Sequence, residues 1–153
     1  MWKKIIYIAI VSLIALNACE KDQTKAVVLA NPTAPVIISP ASGTSFVFKT
    51  ANKDSSVLFV WKEAEFGFSA SVSYLIQYAS ENGLFAQKSN LLSSVNNNDS
   101  ALVKINSFDS KIIKDLKLDT AVKSTIKIRI AAVVSTELDT VFSPSILLSI
   151  KPY

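Results

Sequence analysis

The sequence predicts an all-β sandwich carrying one short helix, and three observations predict it. From Val36 onward, apolar residues cluster in short runs bounded by turn formers. Ile126, Ile128 and Ile130 alternate with Lys127 and Arg129, the period of a strand with one buried face. A helical period occurs at Phe108, Ile112, Ile113 and Leu116, which fall at i, i+4, i+5 and i+8. A length of 153 residues leaves room for one domain around one core.

The chain opens on Trp2-Lys3-Lys4 ahead of an apolar run, Ile5 to Leu16, that closes on Leu16-Asn17-Ala18-Cys19. A basic start, a short apolar segment and a small residue before the cut are the parts of a secretory signal. A membrane span needs about 20 apolar residues, and here Glu20, Lys21 and Asp22 end the run at once. The order Leu, polar, Ala, Cys resembles the lipobox of bacterial lipoproteins, which implies removal of a 1–18 signal peptide and acylation of Cys19. Several acyl chains hold a protein in the membrane effectively for good, because each buried methylene contributes about 0.8 kcal/mol. Residues 19–34 then read as a lipidated tether, polar and then small, ending in Asn31-Pro32-Thr33-Ala34-Pro35, where two prolines disfavour helix. The folded domain is expected over 35–153.

Within that domain, Val36-Ile37-Ile38 and Phe46-Val47-Phe48 flank the turn from Ser39 to Gly43 and predict a broken first strand. Ser56 to Trp61 is apolar at nearly every position, which predicts a central strand covered on both faces or nearly so. Val72 to Ser80 sets Tyr74, Ile76 and Tyr78 on one face, and Glu81-Asn82-Gly83 breaks it. Leu91-Leu92 and Ala101 to Ile105 read as strands on either side of the polar turn Asn96 to Asp99, with Val103 and Ile105 buried on one face. The helix follows, with Asn106 or Ser107 as its cap and Asp109 in its first turn, near the positive end of the helix dipole. A strand from Ser124 through Val134 and a last one from Ile146 to Lys151 complete the sandwich.

Composition narrows the function. The formal charge is +4, and loss of Lys3 and Lys4 with the leader leaves +2. Basic residues are scattered between strands, Lys111, Lys114 and Lys117 forming only a short solvated stripe, so nucleic acid is not an expected partner. There is no histidine, and the one cysteine is committed to lipid. That removes the commonest general base and the usual thiol nucleophile, so no enzymatic activity, catalytic residue, cofactor or metal is expected. It also leaves the mature chain without an internal disulfide, so stability rests on the core.

Several residues still carry two readings. Trp61, set among Val57, Leu58, Phe59 and Val60, reads as a core aromatic ahead of a sugar-stacking platform. Phe66, Phe68 and Phe85 lie in loop-like segments and are the candidates for ligand contact, the other reading being that they cap the end of the core. Glu63 and Glu65 would share a strand face, roughly 6.6 Å apart along the chain, a separation near that of glycosidase carboxylates. That chemistry needs the pair to flank a cleft, whereas both are expected to be solvated at a strand exit. Asn96-Asn97-Asn98-Asp99 offers oxygens to calcium but lacks the spaced acids of a calcium loop, so a polar turn is the stronger reading.

The combination Pro35-Val-Ile-Ile-Ser-Pro40, Phe59-Val-Trp61 followed by Ala64-Glu-Phe-Gly-Phe68, and Val72-Ser-Tyr-Leu-Ile-Gln-Tyr78 resembles the amino-terminal domain of SusE-type outer-membrane lipoproteins of Bacteroidetes. Phe85 after Asn82-Gly83, the helical segment, Ile126 to Ile130 and the closing Ser143 to Tyr153 are similar to that domain's second half. The resemblance implies an immunoglobulin-like sandwich of fibronectin type III character and a non-catalytic, accessory or scaffolding place in a polysaccharide-uptake system at the cell surface. It implies transporter and lipoprotein subunits of that system as partners. It assigns glycan contacts to domains that follow this one in longer members, so direct polysaccharide binding is the alternative, beside a structural envelope role. Cys19-Glu20-Lys21-Asp22 resembles the Lys-then-acid signal that sends such lipoproteins to the outer face of the outer membrane. Asp99-Ser100-Ala101, Asp119-Thr120-Ala121 and Asp139-Thr140-Val141 resemble acceptors of Bacteroidetes O-glycosylation, with Ser100, Thr120 and Thr140 as the attachment residues; ordinary turn chemistry also accounts for all three.

Overall fold

A computed structural model describes residues 29–85, 89–92, 95–120, 122–136 and 138–153. The leader, Cys19 and the first part of the predicted tether lie outside the described residues.

Two sheets face each other. The smaller is antiparallel, with β3 (Ser56–Lys62) between β1 (Val36–Ser39) and β6 (Ser100–Lys104). The larger runs in the order β2 (Ser45–Val47), β9 (Ile146–Lys151), β7 (Ser124–Val133), β4 (Ser73–Ser80) and β5 (Val95–Asn96), with β8 (Val141–Phe142) also on β7. The predicted broken first strand is real, and its break is a change of layer. β1 pairs antiparallel with β3, whereas β2 pairs in parallel with β9 in the other sheet. Between them Gly43 sits at φ +86°, a conformation that favours glycine, and donates its N–H to the Leu147 carbonyl at 2.7 Å. The result is a two-layer β-sandwich of the immunoglobulin-like class.

β4 and β7 form the long central pair, in register from Ser73↔Val133 to Ser80↔Ile126. Their inward residues Tyr74, Ile76, Tyr78, Ile126, Ile128 and Ile130 are all buried, as the alternation predicts. β3 departs from expectation. Its burial alternates, with Val57, Phe59 and Trp61 inside while Leu58 is 49 % exposed, because the smaller sheet is covered on one face only. Trp61 is a core residue, its ring centroid 5.4 Å from that of Tyr74.

Leu91 is buried but lies in an irregular segment rather than a strand, its N–H donating to Ile76 and Asn90 bridging Gln77. β8 escapes a sequence reading because Ser143 and Pro144 interrupt it from β9. Ser143 keeps the ladder intact there: its N–H donates to the Ile130 carbonyl, and its hydroxyl oxygen accepts from the Ile130 N–H, both at 2.8 Å.

The helix, α1 (Ile105–Leu116), starts directly from β6, earlier than the expected caps. Its N-cap is Lys104, with no side-chain cap. The orphan N–H groups of a first turn need acceptors, and the preceding loop supplies them: Ile105 N–H donates to the Ser55 carbonyl and Asn106 N–H to that of Lys53. Asp109 is accordingly not a first-turn residue but a buried one, accepting from the Tyr153 N–H at 3.2 Å.

α1 closes the gap between the layers. Phe108 is fully buried, its ring 5.4 Å from Phe48, just after β2, and 6.2 Å from Phe59 of β3. Three polar ties reinforce the docking: Tyr78 donates its hydroxyl to Asp115, Lys111 donates to the Asn90 and Leu91 carbonyls at 2.7 and 2.8 Å, and Asp109 receives the carboxy-terminal segment. Lys111 therefore does not belong to a solvated stripe; Lys114 and Lys117 are exposed.

The end of the predicted tether is also tied down. Thr33 and Glu65 exchange backbone hydrogen bonds at 2.9 and 3.1 Å, and Leu29 N–H donates to the Phe66 carbonyl. Leu29 packs over Gly67, where a β-carbon would come within 2.4 Å of its Cγ.

Candidate functional site

Three surfaces offer themselves, and the predicted ligand residues divide between two of them. The first is an open cleft of about 620 Å³ at the end of β3, whose lining includes Glu63, Glu65, Phe66, Phe68, Tyr74 and Asn97. Phe66 is only 3 % exposed and joins the core, and Phe68 is half-buried against it, so these two rings cap the sandwich end. Tyr74 has its hydroxyl oxygen accepting from the Ala64 N–H at 3.0 Å. Burial raises the affinity of that phenol for its proton, outweighing the Ala64 hydrogen bond, so the cleft contains no activated oxygen nucleophile at Tyr74.

Glu63 and Glu65 stand exposed at the rim. The asparagine run beside the cleft is a structural turn. Asn97, at φ +48°, accepts from the Val72 N–H with Oδ1, and Asn96 Oδ1 accepts from the Ser73 hydroxyl. Among the described residues no group of three or more acidic, cysteine or histidine side chains is placed to hold a metal ion.

The second surface is the outer face of the smaller sheet. Because β3 is buried on one side only, its even-numbered residues point outward, and register sets Leu58 beside Leu102 of β6 and Lys62 beside Val36 of β1. Val36, Ile38, Leu58 and Leu102 are 47, 61, 49 and 63 % exposed and form an apolar face. Lys62 and Lys104 bound it at opposite ends of β3. Grooves of about 580 and 480 Å³ flank it, one including Ile38, Lys62 and Asp99, the other Pro40, Phe46 and Leu58. β1 and β6 pair only with β3, so each leaves an edge without a strand partner among the described residues.

The sequence did not single out this face, because an uninterrupted apolar run such as Ser56–Trp61 reads as buried on both sides. The available signal was the pair Leu58 and Leu102, apolar where an antiparallel sheet facing water carries polar side chains.

The third surface lies on the outer face of the larger sheet and holds Phe85. Its ring stacks on Arg129, whose guanidinium carbon is 4.2 Å from the Phe85 centroid and 3.8 Å from that of Phe142. Arg129 Nε donates to Gln77 Oε1 at 2.9 Å. Phe85 is thus separate from Phe66 and Phe68 and serves a different surface. The sequence signal for its partner is slight: Arg129 is the one arginine in the chain.

Of the three glycosylation candidates, Ser100 begins β6 and Thr140 immediately precedes β8, both half-buried, whereas Thr120 is exposed in the turn after α1. Among the described residues no helix is long and apolar enough to cross a membrane.

No curated protein and no solved structure matches the chain. A family model described as SusE outer membrane protein matches residues 21–131, from the predicted tether into β7 and thus across both sheets and the helix. The chain belongs to the SusE outer membrane protein family.

Proposed function

We propose that this chain is a non-catalytic accessory of an outer-membrane glycan-uptake assembly, anchored through acylated Cys19 with its domain facing the cell surface, and that it docks a protein subunit of that assembly. As a member of the SusE family it is an outer membrane protein of the Sus glycan-utilisation system. The observation that carries the docking reading is the exposed apolar face of Val36, Ile38, Leu58 and Leu102. Isolated surface apolar residues are ordinary, but a contiguous set rimmed by polar groups marks an interaction site. Its occupant is a protein with an apolar centre and a rim of mixed charge, since Lys62 and Lys104 bracket the face while Glu63, Glu65 and Asp99 line the groove beside Lys62, and interfaces pair a buried apolar centre with complementary rim charge. The free edges of β1 and β6 add main-chain groups that such a partner can pair by strand addition.

The test is the double variant Leu58→Lys/Leu102→Glu. It replaces the apolar centre by an opposite-charge cross-strand pair that the sheet tolerates. Tagged wild-type chain purified from detergent-solubilised outer membranes should bring down a transporter subunit of the assembly, and the variant should lose it at an unchanged melting temperature. Recovery of the subunit by both forms, or by neither, would overturn the docking reading.

A further inference from the structure

The outer face of the larger sheet carries a second arrangement, independent of the docking face. Arg129 stands in the middle of β7, and three neighbours fix its guanidinium. Phe85 and Phe142 both pack against it, and Gln77, itself only 7 % exposed and opposite Arg129 in the register, accepts a hydrogen bond from its Nε–H. The edge carrying the two Nη groups receives no carboxylate from the described residues. Burial lowers the proton affinity of the group, and no acidic neighbour among the described residues offsets it. A second cation, Lys127, lies on the same face two residues along β7, with Nζ 5.7 Å from the Phe85 ring.

A guanidinium packed against two rings in this way can do more than fill space. Arginine presents a planar fork that matches a carboxylate bidentately, and here the rotamer is already ordered by stacking, so little freedom is lost when an anion arrives. Beside the fork, Phe142 is 41 % exposed, and Leu84, adjacent to Phe85, is 95 % exposed. A rigid carboxylate receptor next to an accessible aromatic ring suits a ligand that joins a carboxylate to a flat, C–H-lined ring face. A pyranose carrying a carboxyl group has that shape. An acidic amino-acid side chain brings the carboxylate on a flexible methylene stem and leaves the ring uncovered.

The geometry points to a binding site for acidic oligosaccharides built of uronic acids, in which the Arg129 fork pairs one sugar carboxylate, Phe142 underlies the ring and Lys127 attracts the neighbouring unit. The choice of a sugar rests on the chain's place in a glycan-utilisation system and not on the docking face.

Calorimetric titration tests it, using full chain purified from membranes in nonionic detergent, with tetragalacturonate, the neutral maltotetraose and a tetraglutamate peptide as probes. Tetragalacturonate should bind, more weakly as salt is raised, and maltotetraose and tetraglutamate should not. Arg129→Lys keeps the charge but loses the fork and should weaken binding about tenfold or more. Phe142→Ala, at a half-exposed position that does not threaten folding, should do likewise. The docking variant Leu58→Lys/Leu102→Glu should bind as wild type does, which keeps the two readings separable. Absence of tetragalacturonate binding by the folded chain, undiminished binding by Arg129→Lys or Phe142→Ala, or equal binding of tetraglutamate would overturn the inference.

Discussion

Replacing Phe108 by alanine asks whether α1 belongs to the core or merely leans on it. The side chain is fully buried and touches rings from both layers, Phe48 beyond β2 and Phe59 in β3. Removing a buried phenylalanine costs about 3–5 kcal/mol. Each lost ring pair is worth about 0.5–1.5 kcal/mol beyond its area, while alanine's better helix propensity returns only a few tenths. A net loss of about 4 kcal/mol is therefore expected. With roughly 2 cal/mol/K of unfolding entropy per residue over 29–153, that lowers Tm by about 15 °C.

Ile113→Ala, on the same helix but half-buried, is the control, and should cost about 1 kcal/mol. Scanning calorimetry on the full chain in detergent reads both. A Phe108→Ala shift under about 5 °C, or no larger than that of Ile113→Ala, would show that the helix does not seal the two layers.

Other expectations concern the same helix. Lys117, its C-cap, sits at φ +58° in the left-handed region, so Lys117→Gly should stabilise the chain by about 1 kcal/mol. Lys114→Gly, inside the helix, should cost about as much, and thermal melts that move both variants the same way would contradict the assignment. Asp109 has its carboxyl pushed up by burial, only partly opposed by the Tyr153 N–H. A raised carboxyl contributes stability that is fully present below its unfolded pKa and is lost as pH rises through the folded one. Asp109→Asn keeps the acceptor and removes the titration, so its Tm minus that of wild type should grow more positive from about pH 3 to pH 7. A flat or falling difference would refute it.

Much of the fold was legible in residue order because local pattern and tertiary demand agree. The Ile126 to Ile130 alternation and the Tyr74, Ile76 and Tyr78 face each have one way to bury, and they do. What misled was tertiary context. Leu58 is apolar but faces outward because nothing among the described residues covers the smaller sheet. Asn106 and Ser107 are good capping types, yet the Lys53 and Ser55 carbonyls already satisfy the first turn, so α1 begins earlier. Lys111 looks like a surface charge and is a docking residue, since its long stem reaches the carbonyls of Asn90 and Leu91.

The candidate surfaces were harder still to read. Phe66, Phe68 and Phe85 are alike in sequence, but the first two close the core while the third meets Arg129. The other ring on Arg129, Phe142, comes from β8, a strand of two residues with no period to detect.

The docking proposal places a protein of the glycan-uptake assembly on the smaller sheet's outer face. A photo-cross-linking amino acid placed at Leu102, on full-length chain in living cells, tests this most directly. Thr120, exposed in the turn after α1, serves as the comparison position. A cross-link from position 102 to a transporter subunit is expected, absent from position 120 and lost with Ile38→Asp. Cross-linking from position 102 to lipid alone, or equally from both positions, would contradict it.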